Sequence, residues 1–229
     1  MSNKLVLLLG HKAQSGKDTF YNFVKDSGFH RAAFADHLKE VVQDLYQFSN
    51  EQMYGDLKDV EDKRYPNTVD QKLILKPEWE AQGEFINNAY DNGVTQKDTH
   101  MVNPEYKAFF TPRRILQIFG QQQRLLYPDI WADYVFNVTV PKLLSEGTDR
   151  IIVTDFRFRN EAAVAKRFAQ KDNIAVKFIK IVRPSLTTKD SDQSENDLND
   201  FPNWDLYLNN DSTLERYKKS VLQLVTTFL

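Results

Sequence analysis

The sequence predicts an α/β protein built on a doubly wound parallel sheet with helices on both faces. Three observations support this prediction: a short aliphatic run at residues 5–9, a glycine-containing turn directly after it, and an alternation of strand-like and helix-like segments further along. Continuous aliphatic runs of this length are typical of strands that are buried on both faces. Strands that alternate with helices favour a parallel sheet.

Hydrophobic periodicity places the elements in order along the chain. Phe20, Phe23 and Val24 fall on one helical face, and Gly28 is suited to the C-cap of that helix. Thr111 before a proline is a typical helix start. The predicted elements are a strand at 5–9, a helix at 17–27, a short strand at 31–34, a helix from 38, a helix from 112, a helix at 130–144, a strand at 150–154, a helix at 160–168, a strand at 174–182, a short strand at 205–208 and a C-terminal helix.

Two regions interrupt this alternation. Residues 49–110 lack a clear period, apart from a predicted helix near 78–90, and we interpret them as an insertion beside the sheet. Residues 184–200 are polar, acidic and serine-rich, which is typical of an exposed lid. Ser212 and Glu215 form a capping-box pattern before the C-terminal helix. We therefore expect one domain over residues 1–229.

Composition excludes several classes of protein. A formal net charge of −2 disfavours a broad cationic surface for nucleic acid. The chain has no cysteine, which excludes disulfides, thiolate metal sites and cysteine nucleophiles and fits a reducing compartment. No apolar run approaches the roughly 20 residues that span a bilayer, and the start lacks a signal-peptide pattern. We expect a cytoplasmic protein without membrane or nucleic-acid partners.

The turn at residues 10–19 reads Gly-His-Lys-Ala-Gln-Ser-Gly-Lys-Asp-Thr and predicts a phosphate-binding loop of the P-loop NTPase type. Backbone N–H groups and the positive end of a helix attract phosphate at such a turn. The ammonium group of Lys17 is expected to bridge the outer phosphates. The alternative is a glycine turn with a solvated lysine.

The loop departs from the Walker A pattern at two points. Gly10 and Gly16 are separated by five residues where that pattern has four, so either His11 takes the first glycine position or the loop is one residue longer. Asp18 stands where a magnesium-binding Ser or Thr is usual, and Thr19 follows one place later.

The helix that starts at residue 112 carries guanidinium and amide side chains on one arc. Guanidinium groups on one face can bind phosphate in a bidentate manner, whereas the alternative is the solvated side of an amphipathic helix. Trp131, just beyond, is either a core residue or a platform for a base. The side chains on the arc are Arg113, Arg114, Gln117, Gln121 and Arg124.

The strand at 150–154 delivers Asp155 and Arg157 to its C-terminal end, where ligands bind in open α/β sheets. Asp155 is suited to orient a Mg²⁺-bound water or a substrate hydroxyl, and Arg157 to neutralise a transferring phosphate. The alternative is a helix-capping network that uses Asn160 and Glu161.

Taken in series, these stretches resemble the deoxynucleoside monophosphate kinases of large tailed bacteriophages. The resemblance covers most of the chain except residues 49–110. The matching segments are residues 15–19, 34–40, 113–120 with 129–131, 155–161, 182–184, 194–195 and 209–214.

This resemblance implies transfer of the γ-phosphoryl group of ATP to a deoxynucleoside monophosphate, with Mg²⁺, often in a homodimer, and in the host cytoplasm for a phage-encoded protein. It implies that the insertion serves the acceptor and that Lys17, Asp155, Arg157 and Arg114 carry the catalysis. The implied ATP and metal ligands are Ser15, Gly16, Lys17, Asp18, Thr19 and, from the lid, Arg183, with Asp18 and Thr19 at the metal. The implied acceptor site consists of Lys39, Arg113, Arg114, Gly120, Gln121, Trp131, Asp155, Arg157 and Glu161, with Lys12 either a further phosphate contact or a bystander.

Three other functions remain open at this stage. A P-loop kinase for another small acceptor, such as dephospho-coenzyme A, has a similar loop and fold. A nucleotide-dependent switch or nucleic-acid motor is disfavoured by the charge and by the lack of a guanine-specifying Asn-Lys-x-Asp segment. A non-catalytic deoxynucleotide-binding protein is disfavoured by the presence of Lys17, Asp155 and Arg157 together.

Overall fold

The computed structural model describes residues 4–65, 109–172, 174–186 and 193–228. The strands in this part of the chain are β1 Leu5–Gly10, β2 His30–Ala32, β3 Arg150–Phe156, β4 Ala175–Val182 and β5 Leu206–Asn209. The helices are α1 Lys17–Val24, α2 Phe34–Tyr46, α3 Asn50–Tyr54, α4 Pro112–Leu126, α5 Ile130–Tyr134, α6 Val140–Ser145, α7 Arg159–Asp172, α8 Gln193–Asn196 and α9 Leu214–Thr226. Short 3₁₀ turns occupy Lys25–Ser27 and Asp56–Asp59, and a π-helical turn, Val135–Thr139, joins α5 to α6. The helix predicted near 78–90 lies outside the described residues.

The five strands form one sheet in the order β2-β3-β1-β4-β5, and each neighbouring pair is parallel. The central strand β1 pairs with β3 on one side and β4 on the other, so that Leu8 lies opposite both Val153 and Phe178. This arrangement confirms the predicted doubly wound parallel sheet. The turn that follows β1 therefore begins at the middle of the carboxyl edge, where open α/β sheets bind ligands.

Both faces of the sheet are covered, which explains why β1 is buried at every position. On one face, alternate β1 side chains pack with α1 and α9 in an aliphatic and aromatic cluster. On the other face, aromatic rings from β3, β4 and the segment before β5 pack together, mostly edge to face. The rings of this second group are Phe156, Phe178, Phe201 and Trp204.

The described residues fall into two compact units. One consists of those within Met1–Asp36 and Trp131–Leu229 and contains the whole sheet, and the other consists of those within His37–Ile130. In the second unit, α3 and the Asp56–Asp59 turn pack against α4. The start of the predicted insertion is helical, because Ser49 and Gln52 form a reciprocal capping box at the N-terminus of α3.

Two expected element ends are wrong. Residue Phe34 was expected in a strand but begins α2, and β2 ends at Ala32. The cap of the C-terminal helix is Thr213 rather than Ser212: the Thr213 hydroxyl accepts the Arg216 N–H, which leaves Glu215 outside the capping-box position. Thr111 caps α4 with a proline at its first turn, as predicted. No helix in the described ranges has the length and apolar character needed to cross a bilayer.

Candidate active site

The loop between β1 and α1 contains three positive φ angles within six residues. His11 has a φ of 95°, Gln14 of 56° and Gly16 of 110°. Non-glycine residues rarely adopt such values, and a site that imposes them stores about 1–3 kcal/mol of strain. His11 therefore occupies a backbone position that favours glycine. If His11 takes the first glycine position, four residues lie between it and Gly16, which is the Walker A spacing.

The side chain of Lys17 crosses this loop from the first turn of α1. Its ammonium group donates to the carbonyl oxygens of His11, at 3.2 Å, and Lys12, and to the Ser15 hydroxyl at 3.3 Å. Only 6% of the residue is exposed. Burial, reinforced by the positive charge of Arg157, lowers the Lys17 pKa to about 8, so the group stays mainly protonated at neutral pH. The alternative of a solvated lysine does not hold for this conformation.

Two side chains from the last strand and helix fix the end of the loop. The Asn210 amide donates to the Ser15 carbonyl at 2.9 Å, and the Tyr217 hydroxyl donates to the Gly16 carbonyl at 3.0 Å. A Cβ atom at Gly16 would lie 2.5 Å from Asn210 Nδ2, so only glycine fits both the positive φ and this close approach. The loop conformation therefore depends on residues about 200 positions later in the chain.

A carboxylate also binds the loop. Glu195, in α8, accepts the Ala13 N–H at 2.8 Å through Oε2 and pairs with the Arg157 guanidinium through Oε1. Arg183 adds a further link, donating to the Gln14 carbonyl at 3.3 Å. Cationic side chains and a loop amide thus converge at the carboxyl edge of the sheet.

Asp155 caps α2. Its two carboxylate oxygens accept the N–H groups of Phe34 at 2.8 Å and Ala35 at 2.9 Å, which explains why α2 begins at Phe34. Burial raises the Asp155 pKa, although both backbone bonds act against the rise. Asp155 is therefore itself a helix-capping residue, a role that the sequence had suggested for Asn160 and Glu161.

Glu161 has a comparable role at the turn after β3. Its Oε2 accepts the N–H groups of Arg157 at 2.8 Å and Phe158 at 3.0 Å, and only 3% of the residue is exposed. This carboxylate fixes the backbone from which the Arg157 side chain extends. The capping alternative therefore describes the contacts of Glu161 as well.

His11, Lys12 and Lys180 add further basic groups beside the loop. Burial, together with the charges of Lys180, Lys12 and Lys17, lowers the His11 pKa to about 4, so its imidazole is neutral at physiological pH. Burial and Lys12 also lower the Lys180 pKa. Such mutual repulsion among cations favours a bound anion.

The second unit holds the remaining cations that the sequence singled out. Arg113 forms two bonds to the Asp59 carboxylate, and Arg114 lies within 3.5 Å of the Gln117 side-chain oxygen. The Lys39 ammonium lies 5.1 Å from the ring centre of Tyr54. Burial and the charges of Lys39 and Arg113 lower the pKa of Lys58, a cation that the sequence analysis did not select.

Three further predicted site residues are buried or partly buried. Gly120 is buried in α4, and a Cβ atom there would lie 2.8 Å from a methyl carbon of Leu38. Trp131 is 4% exposed, which agrees with the core alternative, and Gln121 is partly buried. The roles of these residues toward an acceptor stay predictions.

The predicted magnesium ligands suit an ion that arrives with phosphates. Within the described residues, no group of three or more His, Cys, Asp or Glu side chains is arranged to hold a metal ion. Magnesium bound to substrate phosphates keeps several waters and needs only one or two protein ligands. Asp18 is exposed and Thr19 partly buried in the first turn of α1, so the two predicted oxygen ligands match this requirement in number and type.

Three residues that contact the loop were not predicted as site residues from the sequence: Glu195, Asn210 and Tyr217. Glu195 and Asn210 fall inside matching segments of the resemblance, which was the available signal. Tyr217 was counted only among the apolar positions of the C-terminal helix, because periodicity reports burial and not a hydroxyl contact.

Comparisons with known proteins find a related viral sequence and solved structures that align over nearly the whole chain. No protein-family model matches the chain. The chain is 25% identical over 224 residues to a protein of Acanthamoeba polyphaga mimivirus described as "Putative deoxynucleotide monophosphate kinase", covering 96% of this chain and 95% of that protein. A mutant of the APS kinase CysC of Mycobacterium tuberculosis aligns with a TM-score of 0.34 and 11% identity over 99% of both chains. The dephospho-CoA kinase from Campylobacter jejuni aligns with a TM-score of 0.38 and 15% identity over 97% of this chain and 96% of that chain.

Proposed function

We propose that this protein is a deoxynucleoside monophosphate kinase, which transfers the γ-phosphoryl group of ATP to a deoxynucleoside monophosphate and yields a deoxynucleoside diphosphate and ADP. The observation that carries the proposal is the buried Lys17 ammonium, held across the β1–α1 loop near Arg157 at the carboxyl edge of the sheet. The similarity to the mimivirus protein along nearly the whole chain supports the choice of acceptor.

ATP is the proposed donor because the loop offers what a polyphosphate binds. Backbone amides of residues 11–17, the N-terminus of α1 and the Lys17 ammonium provide positive charge and donors at one place. Asp18 and Thr19 would hold magnesium, which neutralises charge on the phosphates when it is bound. Arg183 and Lys12 are further candidates for phosphate contacts.

The chemical step needs little covalent help from the protein. An oxygen of the acceptor phosphate is already anionic at neutral pH and forms a bond to the γ-phosphorus, while the bond from that phosphorus to the bridging oxygen of ADP breaks. Positioning and charge neutralisation therefore dominate the rate. We assign this work to Lys17, Arg157 and Arg114.

Asp155 and Glu161 have a different part in this proposal. Each accepts two backbone N–H groups, so each orients a segment, the start of α2 or the turn at Arg157. We therefore propose them as positioning residues. For the acceptor we retain Lys39, Arg113 and Arg114 as phosphate-binding side chains.

The decisive experiment is an acceptor panel with the purified full chain, ATP and Mg²⁺, in which ADP release is measured with a coupled assay. The panel contains the four common deoxynucleoside monophosphates, their ribose counterparts and dephospho-coenzyme A. The expected result is turnover with at least one deoxynucleoside monophosphate, formation of its diphosphate, and loss of both in the Lys17→Ala variant.

Three outcomes of this panel would contradict the proposal. Turnover with dephospho-coenzyme A alone would assign a different acceptor. ADP release that needs no acceptor, or that a polynucleotide stimulates, would indicate a switch or motor. Binding of nucleotides without turnover would indicate a non-catalytic binding protein.

A further inference from the structure

The contacts of Glu195 are those of an anion bound at a phosphate loop. One carboxylate oxygen accepts the Ala13 N–H at 2.8 Å, and the other pairs with the Arg157 guanidinium. The residue is only 5% exposed. A charge buried to this degree is stable only while it keeps its partners, so these two contacts fix the position of the carboxylate.

A carboxylate and a phosphate compete for the same kind of donor. Both are anionic acceptors that bind backbone N–H groups and guanidinium groups, with phosphate offering more oxygens and more charge. The two donors that Glu195 uses are a loop amide and the arginine proposed to neutralise the transferring group. The Glu195 charge also favours the protonated form of Lys17, which shows that it acts on the same charge centre.

We propose that Glu195 is an internal competitor of the nucleotide: its carboxylate takes the Ala13 amide and the Arg157 guanidinium that the outer phosphates of ATP require. Nucleotide binding then requires Glu195 to leave both donors, and Arg157 passes from a carboxylate to a phosphate. This inference rests on the proposed function for the identity of the ligand as ATP.

The competition has a measurable consequence. A bound anion that must be displaced weakens the apparent affinity of the loop for polyphosphate, so removal of the Glu195 charge strengthens that affinity. If Glu195 only braced Arg157 for catalysis, its removal would weaken binding or leave it unchanged. The sign of the change in Kd therefore separates the two roles.

The test is isothermal titration of the full chain with ATP–Mg²⁺ and, separately, with inorganic tripolyphosphate. Glu195→Gln keeps the size of the side chain and removes its charge, and Glu195→Ala removes both contacts. We expect both variants to bind each ligand about tenfold more tightly than the wild type, which is the scale of one charge-assisted hydrogen bond. Thermal melts establish that the variants fold.

Asp197→Asn is the matched control, because Asp197 lies two residues away and its carboxylate accepts the Arg159 N–H at 2.7 Å. This change loosens the same segment without touching the loop, so Kd is expected to stay within twofold of the wild type. Equal tightening in Asp197→Asn would assign the effect to a loosened segment and overturn the proposal.

The remaining outcomes separate the inference from the proposed function. An unchanged or weaker Kd in Glu195→Gln, in a protein whose wild type phosphorylates a deoxynucleotide, overturns the inference alone. Tighter tripolyphosphate binding without any kinase turnover overturns the proposed function and leaves the competition supported. Failure of both Glu195 variants to fold would make Glu195 a structural brace and would also overturn the inference.

Discussion

The side-chain amide of Asn210 donates a hydrogen bond of 2.9 Å to the main-chain carbonyl of Ser15. Together with the Tyr217–Gly16 bond, it attaches the loop after the first strand to the last strand and helix of the chain. Both side chains bind carbonyl oxygens of the loop, so neither of them occupies one of its N–H donors. This relationship predicts that changes at Asn210 or Tyr217 alter nucleotide affinity.

Asn210→Ala is expected to remove one fixed point of the loop and cost about 1–2 kcal/mol of stability. The KM for ATP should rise about tenfold, since the loop must then order as it binds, whereas the KM for the acceptor should change little. Steady-state kinetics and urea unfolding measure both effects. Tyr217→Phe, which removes only the hydroxyl, should lower the stability and raise the KM for ATP by smaller amounts. Equal rises in both KM values would contradict the assignment.

Lys17→Ala is expected to leave the fold intact and lower turnover at least about 100-fold, the size of one strong transition-state contact. The physical reason is that no other side chain donates from the first turn of α1 across the loop in the described structure. ADP release at saturating substrates measures the effect. Lys25→Ala, at an exposed lysine directly after α1, is the control and should keep wild-type turnover. Near-normal turnover in Lys17→Ala would contradict the assignment of Lys17 to the active site.

Asp155→Asn is expected to destabilise the protein by about 1–3 kcal/mol, because one side-chain oxygen is replaced by an NH₂ group that faces a backbone N–H. Asp36→Asn is the matched control: Asp36 lies in the same turn but pairs with Arg31 at the surface, and its loss should cost at most about 1 kcal/mol. Chemical denaturation gives both values. If Asp155→Asn kept full stability but lost turnover, a direct role in chemistry would replace the capping role.

The lowered pKa of His11 predicts that the stability of the protein depends on pH. Its pKa is about 4 in the folded protein and about 6.5 when unfolded, so between these values the unfolded chain binds more protons. This contribution to stability is therefore lost as the pH falls from about 6.5 towards 4. His11→Gly removes it and relieves the positive φ, with a gain of up to about 1 kcal/mol at pH 7.5. When the pH is lowered from 7.5 to 5, the urea midpoint of unfolding should fall further in the wild type than in the variant. Identical falls in the two proteins would contradict this prediction.

Gly120→Ala tests whether this glycine serves packing. The added methyl group would lie 2.8 Å from a Leu38 methyl carbon, so we expect a loss of about 1–2 kcal/mol despite the better helix propensity of alanine. The double variant with Leu38→Ala should show less than the sum of the two single losses, because the cavity admits the new methyl. Strict additivity of the two losses in urea unfolding would indicate that the two side chains do not interact.

Hydrophobic periodicity, together with the turn and cap residues between periodic segments, was sufficient to predict most of the fold. The aliphatic residues 5–9, the Thr111–Pro112 start and the alternation of strands with helices predicted elements that the structure contains, because these signals act within a few residues of the chain. Element ends were less certain: β2 stops at Ala32 because Asp155, more than 100 residues later, caps α2 at Phe34. A cap supplied from another strand leaves no local signal.

The sequence by itself determined the parallel sheet and the position of the glycine-containing loop with Lys17 at its end, since both follow from local pattern and from the chemistry of the residues present. Only the tertiary structure decided that Asn210 and Tyr217 hold that loop and that Glu195 binds it. It also decided that Asp155 and Glu161 bind backbone N–H groups. The physical reason is that hydrogen bonds between distant segments depend on how strands and helices pack, and residue spacing carries no record of which side chain will face which carbonyl or amide.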